Sequence, residues 1–278
     1  MERLWHLTLV ATGRGTIFRT EEGLRCAVRT LAETAGARML LFSIVDDHVH
    51  VVVCCDRKQA GRIARSISLA LRPTTDVPIR RGTDVRSIES RSHLQSLVRY
   101  HLTQLPHHGV SADPALWTGS CFQDLIGARR VGVLGLSLHT FLPRFRIEEA
   151  MAVVGLPTAP LVPAADRLVR ALGAARLVAA AGAALAVGPS LAGRGSPLVT
   201  ARAAASQLAA TAGISTIDLA DAMGTRLRNV QRGTQAEVED GVLLAVRLRM
   251  ALEQAVEEAR SKAPRRVPES SGLTTSGS

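Results

Sequence analysis

Lysine, aromatic residues and cysteine are all scarce in this chain. Lys58 and Lys262 are its lysines, aromatic residues make up 3% of it, and Tyr100 is its one tyrosine. The formal net charge of +10 is therefore carried almost wholly by arginine, whose planar fork matches a phosphate better than an ammonium does. Codon bias in a high-GC genome is the ordinary alternative for arginine in place of lysine, but it does not explain the excess of positive over negative charge, which points to a phosphate-bearing partner. Cys26, Cys54, Cys55 and Cys121 form no C-x-x-C pair and no spaced framework. A disulfide scaffold is thus excluded, and the thiols read as buried groups in a reducing compartment. The start of the chain lacks a basic run, a long apolar core and a small-residue cleavage site, so no secretion is implied. The most apolar stretch, residues 177–193, is mostly Ala and Gly, is broken by Pro189 and is bracketed by Arg176 and Arg194. It suits a buried helix better than a membrane span, and the expected location is the cytoplasm, with the nucleoid.

A chain of 278 residues suits two domains plus a tail. Residues 5–11 alternate as a strand does, and Gly13 and Gly15 mark a turn before a short return arm at 16–18. Residues 21–37 carry Leu24, Val28, Leu31 and Ala35 at helical spacing, with Glu21 and Glu22 in the first turn. Two β-rich runs, 39–45 and 48–55, are separated by Asp46 and Asp47 and read as adjacent antiparallel strands. A helix over 58–72 shows Arg62, Arg65 and Arg72 on its polar face and stops at Pro73. Arg80 and Arg81 follow in an irregular basic connection. Residues 90–105 read as another helix, with Ser90 or Ser92 as cap and Pro106 just past its end. Strand, helix, two strands, helix is a ferredoxin-like order, an antiparallel sheet with helices on one face. The expected class is α+β, with an all-α domain after it.

His48 and His50 flank Val49 in a strand, where residues i and i+2 share a face, so two imidazoles can converge on one metal ion. An H-x-H triplet is not rare by chance in a chain with eight histidines, and two half-exposed strand histidines are the ordinary alternative. Tyr100 lies in VRYHLTQLPHHGV, one helical turn before Gln104, so its hydroxyl and the amide can meet one ligand. A lone half-buried packing tyrosine is the ordinary alternative there. His101, His107 and His108 compete as ligands, and His48, His50, Cys54 and Cys55 are a further, zinc-binding possibility.

VDDHVHVVV resembles the histidine-hydrophobe-histidine strand of single-tyrosine HUH transposases. YHLTQLPHHGV resembles the tyrosine-bearing helix of the REP-associated tyrosine transposase branch of that superfamily, and DPALWTGSCFQDLIG resembles the end of the same domain. The order of these motifs agrees over residues 1–130, the first expected domain. The resemblance implies His48, His50 and Gln104 as metal ligands, a divalent ion, Mg²⁺ or Mn²⁺, as cofactor, and Tyr100 as the nucleophile that forms a 5′-phosphotyrosine with single-stranded DNA. The chain departs from the family by Asp46-Asp47 in place of Pro-Asn before the first histidine, and by Gln-Leu-Pro in place of Asn-Pro after the tyrosine.

Residues 131–163 read as a linker punctuated by Pro157, Pro160 and Pro163, and residues 164–260 as a helical DNA-binding domain. Within it Leu219, Ala220, Met223, Gly224, Leu227 and Val230 occupy the apolar, small and turn positions of a helix-turn-helix. Arg226, Arg228, Asn229, Gln231 and Arg232 decorate its second helix with side chains that reach phosphates and base edges. This stretch resembles the C-terminal DNA-binding domain of bacterial replication initiators; a purely structural helical bundle is the alternative. Residues 261–278 hold too little apolar content to fold and read as a disordered tail. Two functions stand: a transposase cleaving single-stranded or hairpin repeat DNA, and a sequence-specific DNA-binding protein that keeps the fold without cutting. Neither involves a membrane.

Overall fold

The structure is a computed structural model, and it describes residues 3–13, 15–107, 112–131 and 134–262. Its first half is built on a four-stranded sheet. β1 (Arg3–Val10) is followed by α1 (Glu21–Ala35), β2 (Met39–Ile44), β3 (His48–Cys55), α2 (Arg57–Leu71) and β4 (Asp84–Ile88). The strand order is β2-β3-β1-β4 and every pairing is antiparallel. The α+β class expected from the sequence is what the chain adopts.

Local chemistry accounts for the elements. In β1, Trp5, Leu7 and Leu9 are buried while His6 and Thr8 between them are half-buried, the two-residue period of a strand with unlike faces. Thr20 caps α1 by accepting from the Gly23 N–H at 3.1 Å, Asp56 caps α2 by accepting from Gln59 at 2.8 Å, and Ser90 caps α3 (Arg91–Leu102) by accepting from His93 at 3.1 Å. Each such cap stabilises its helix by about 1 kcal/mol. The helix expected to run on to 105 steps at Thr103, because Pro106 has no N–H for the Leu102 carbonyl, and a short α4 (Gln104–His107) follows.

β4 is an element that sequence reading missed. Its five residues, DVRSI, are mostly polar and bury only Ile88, so they lack the apolar alternation that marked the other strands. Residues 16–18 form no strand. Instead, Ile17 is fully buried and bonds through its backbone to Asp46 and Asp76. The helices also lie on both faces of the sheet rather than one. α1 and α2 cover the face of Trp5, Leu7, Val49 and Val51, whereas α3 lies over the face that carries His50.

The segment after α4 closes the β2 edge. Trp117 donates its indole N–H to the Ile44 carbonyl at 3.0 Å, the Ile44 N–H donates to Gly119 at 2.8 Å, and Ser43 bridges Ser120. A Cβ at Gly119 would stand 2.6 Å from the Ile44 carbonyl oxygen, so only glycine permits this approach. α5 (Phe122–Leu125) completes it. Residues 131–163 are more than a connection. They hold α6 (Leu134–Phe141) and α7 (Ile147–Val153), and Leu138, Leu142, Ala150 and Met151 are buried in the same core as the sheet. These helices are too short to show a helical period in sequence.

The rest is helical: α8 (Asp166–Ala184), α9 (Ser196–Ala212), α10 (Thr216–Met223), α11 (Leu227–Gln235) and α12 (Asp240–Lys262). α8 to α11 enclose a second core of Ala and Leu. No helix among the described residues is long and apolar enough to cross a membrane. Of the expected tail, Ser261 and Lys262 end α12, and the remainder lies outside the described residues.

α12 joins the two halves. Val242, Val246 and Met250 belong to the second core, whereas Leu248, Leu252 and Val256 belong to the first. At the seam the buried Arg249 donates to Gln123 at 2.5 Å and to Glu253 at 2.7 Å, so a cation far from water is held by oxygens on both sides. Trp5 and Trp117 both pack in the first core, so indole fluorescence reports that half alone. Leu252→Ala, in a fully buried position on α12, is expected to lower the tryptophan-monitored stability in urea by about 2–5 kcal/mol. An unchanged midpoint would show that the sheet core folds without the last helix.

Candidate active site

The β1/β3 register assembles a polar row on the face under α3. Thr8 stands opposite His50, and Ser43 of β2 and Asp84 of β4 extend the row to either side. One rung along, His6 lies between Val52 and Arg86; one rung the other way, His48 faces Val10. Side chains two residues apart share a face, so His6, Thr8, His48 and His50 all project toward the helix that carries Tyr100.

His50 is buried and occupied on both sides of its ring. Its Nδ1 lies 3.1 Å from His6 Nε2 and 3.3 Å from Thr8 Oγ1, and its Nε2 lies 3.3 Å from the Tyr100 hydroxyl. The His48 ring is 4.4 Å from that of His50, centroid to centroid, and Asp47 Oδ1 holds His48 Nδ1 at 2.6 Å. A carboxylate on one imidazole nitrogen fixes the ring's orientation, as in the outer shell of metal-bound histidines. Asp47, a departure from the expected family pattern, thus acquires a definite contact. Tyr100 stands at the rim with 39% of its surface exposed, within reach of a large substrate.

Gln104 is buried beneath Tyr100, and its amide nitrogen donates to the Tyr100 carbonyl at 3.3 Å. Cys55 points into the opposite core and Cys54 pairs across from Leu4, two rungs from Thr8, so the zinc arrangement with His48 and His50 is not assembled. Among the described residues no group of three or more His, Cys, Asp and Glu side chains is placed to hold a metal ion. The structure brings His48, His50 and Tyr100 together, while the Gln104 amide contacts the Tyr100 carbonyl one turn back along the helix. Neither the His107 side chain nor His108 falls within the described residues.

Three members of the site escaped sequence reading as such. His6 and Thr8 sit on the polar side of β1, a signal visible only once the strand register is known. His101, considered only as a competing ligand, faces the sheet with 1% exposure, and neither ring nitrogen has a hydrogen-bond partner. Its ring lies 5.6 Å from that of His6 and 5.7 Å from that of His50. Burial, with a smaller contribution from His6, pushes the His101 pKa down to about 3. Burial and then Arg86 lower His6 to about 4, with Asp84 opposing. Both rings are therefore neutral at neutral pH and add no repulsion to a cation or a proton beside His50.

The basic residues fall in three places. Arg65, Arg72 and Arg81 line a groove of about 450 Å³ between α2 and the start of β4, with Arg62 exposed on the same helix. This groove is on the side of the sheet away from Tyr100. Arg80 is exposed at the His48 end, where its N–H donates to the Val10 carbonyl at 2.7 Å. In the C-terminal half Gly224 has φ 62°, which permits the tight turn between α10 and α11. Arg226, Arg228, Gln231 and Arg232 are exposed along α11, while Asn229 is half-buried and donates to Thr225 Oγ1 at 2.7 Å. That last residue serves the turn rather than presenting itself outward.

No family model and no curated protein matches this chain. Among solved structures it is similar to a REP-associated tyrosine transposase bound to a REP hairpin, at 15% identity over 45% of this chain and 79% of the other, with a TM-score of 0.38.

The buried histidines have a consequence for stability. Unfolded, His101 binds a proton near its ordinary pKa of 6.5; folded, it does so only near 3. Between those values the unfolded state holds more protons, so the stabilisation is complete above about pH 6.5 and falls as the pH drops toward 3. At pH 5 the loss is about 2 kcal/mol from this group. His101→Phe is expected to flatten the acid side of the stability profile in urea titrations between pH 7 and 5; an unaltered slope would remove His101 as its source.

Proposed function

We propose that the chain is a DNA strand transferase of the single-tyrosine HUH kind, acting on single-stranded or hairpin repeat DNA. The observation that carries this reading is the Tyr100 hydroxyl 3.3 Å from His50 Nε2, with His48 beside it and Tyr100 itself exposed at the rim. The β-α-β-β-α-β order with β1 and β3 central is ferredoxin-like and supports the same reading, as does the net positive charge. Domain limits follow with one adjustment: the catalytic part takes in α6 and α7, and α8 to α11 form a helix-turn-helix unit.

The cofactor would be Mg²⁺ or Mn²⁺, held by His48 and His50 with the Gln104 amide oxygen as a third protein donor. Two imidazoles and an amide fit such an ion when water and substrate oxygens complete its shell. When bound it would polarise the scissile phosphate and ease departure of the 3′ oxygen. The residues themselves do the rest. His6 and Thr8 engage His50 Nδ1 and so aim Nε2 at the reaction centre. The Tyr100 oxygen bonds to phosphorus as the bond to the 3′ oxygen breaks; the phenol proton leaves to solvent at the exposed rim, and the 3′ oxygen is released as a hydroxyl. Reversal by another 3′ hydroxyl then joins strands without ATP, since the phosphotyrosine conserves the bond. Arg62, Arg65, Arg72, Arg80 and Arg81 would hold the backbone of the strand, and Arg226, Arg228, Gln231 and Arg232 of α11 would read or grip duplex. Such a protein works in the cytoplasm, at the nucleoid.

A second reading is favoured by one observation, that no group of three or more His, Cys, Asp and Glu side chains among the described residues is placed to hold a metal ion: a sequence-specific DNA-binding protein that no longer cuts. Incubation with Mn²⁺ and single-stranded oligonucleotides from hairpin repeats, followed by denaturing electrophoresis, separates them. A covalent adduct is expected, absent in Tyr100→Phe and reduced at least 100-fold in His48→Ala, with binding retained in both. Specific binding with no adduct in the unaltered chain would establish the second reading, and an adduct that survives Tyr100→Phe would displace the nucleophile.

A further inference from the structure

Outside the Tyr100 site, a concavity lies along the outer side of the same helix. A groove of about 620 Å³ separates α3 from α7 and the turn before it, within the size range of small-molecule sites. Its α3 wall presents Gln95, Ser96 and Arg99; its far wall presents Phe145 and Glu149; buried Val98, Leu102 and Ala150 lie along its floor. A neighbouring hollow of about 390 Å³ shares Gln95 and Phe145 and adds Arg91 and Arg144. Resting on the strand-transfer reading above, we infer that this groove receives a base of the single strand next to the scissile phosphate.

Three features select that occupant. The first is charge: Arg91, Arg99 and Arg144 surround the opening and none of them is in an ion pair among the described residues, so the rim suits a phosphate chain. The second is the interior, where an apolar floor and the half-buried Phe145 ring offer a base a surface to stack on. Gln95 and Glu149 add hydrogen-bonding groups at its edge, and a carboxylate there accepts from an exocyclic amine, favouring adenine, cytosine or guanine over thymine. The third is position: Arg99 adjoins Tyr100 in sequence, and Ser96 lies one turn before Tyr100 on the same face of α3. A strand with its phosphate at the tyrosine reaches the groove by crossing these two residues. Phosphate recognition, stacking and a polar edge at one site describe a nucleotide in a strand more fully than any free anion.

The test is equilibrium binding of the full chain, carrying Tyr100→Phe to prevent covalent capture, to a single-stranded repeat oligonucleotide with one abasic site moved through every position. One position is expected at which loss of the base weakens binding about tenfold. In Phe145→Ala the same abasic site is expected to change affinity less than about twofold. Gln95→Ala, on an exposed helix position where folding is not at stake, is expected to reduce the penalty as well, and Glu149→Ala to erase a preference against thymine there. An abasic profile identical in all variants overturns the inference, as does a profile flat in the parent chain. Adduct formation by the chain with Tyr100 intact reports on the chemistry separately, so a groove that binds its base in a protein that cuts nothing would support the site while removing the transferase reading.

Discussion

Everything at the site depends on the pairing of β1 with β3 in one register. Antiparallel strands repeat every two residues, so a slip by one would turn His6 and Thr8 into the apolar core and put Trp5 and Leu7 under α3. The native register is held by a long buried ladder, with Leu7 opposite Val51 and Leu9 opposite Val49 on the covered face. The polar face inherits its order from that apolar one: Thr8 meets His50 because Leu7 and Leu9 cannot face water. The energy that orders four strands thereby orients an imidazole, with no separate device needed to aim it.

α3 supplies the other half through a contrast between neighbours. Tyr100 and His101 are consecutive and so point about 100° apart on a helix. One stands at the rim, and the other is buried against the sheet with neither ring nitrogen paired. A buried imidazole without partners costs free energy, and that cost is borne by the packing of Leu94, Leu97, Val98 and Leu102 along the same helix face. The polarity that lies between sheet and helix is thus supported by the apolar contacts around it.

Much of this was readable from the chain alone. The alternation in β1, the run 48–55 and the cap at Ser90 are local signals, and each led to the element that exists. His48, His50 and Tyr100 came from motif order and do lie together. What escaped depends on pairing across distance. β4 carries almost no apolar signal of its own and is a strand because β1 has an edge to fill. His6 and Thr8 matter only through their partners in β3. Phe145 and Glu149 sat in a stretch punctuated by prolines that resembled a connection, since two short helices reveal themselves by what they cover rather than by their period. Asn229, assigned to the exposed side of α11, is claimed by the Thr225 hydroxyl instead, a local bond that competes with outward presentation.

α12 has a bearing on how such a protein can be altered. Because one continuous helix supplies side chains to both cores, no cut between residues 131 and 163 separates two self-sufficient modules; the sheet would keep its strands but lose Leu248, Leu252 and Val256 from its wall. The exchangeable unit is instead the excursion from α9 to α11, which follows α8 and leads into α12. Recombination that respects that boundary would exchange these helices while the spine to which they attach stays with the sheet.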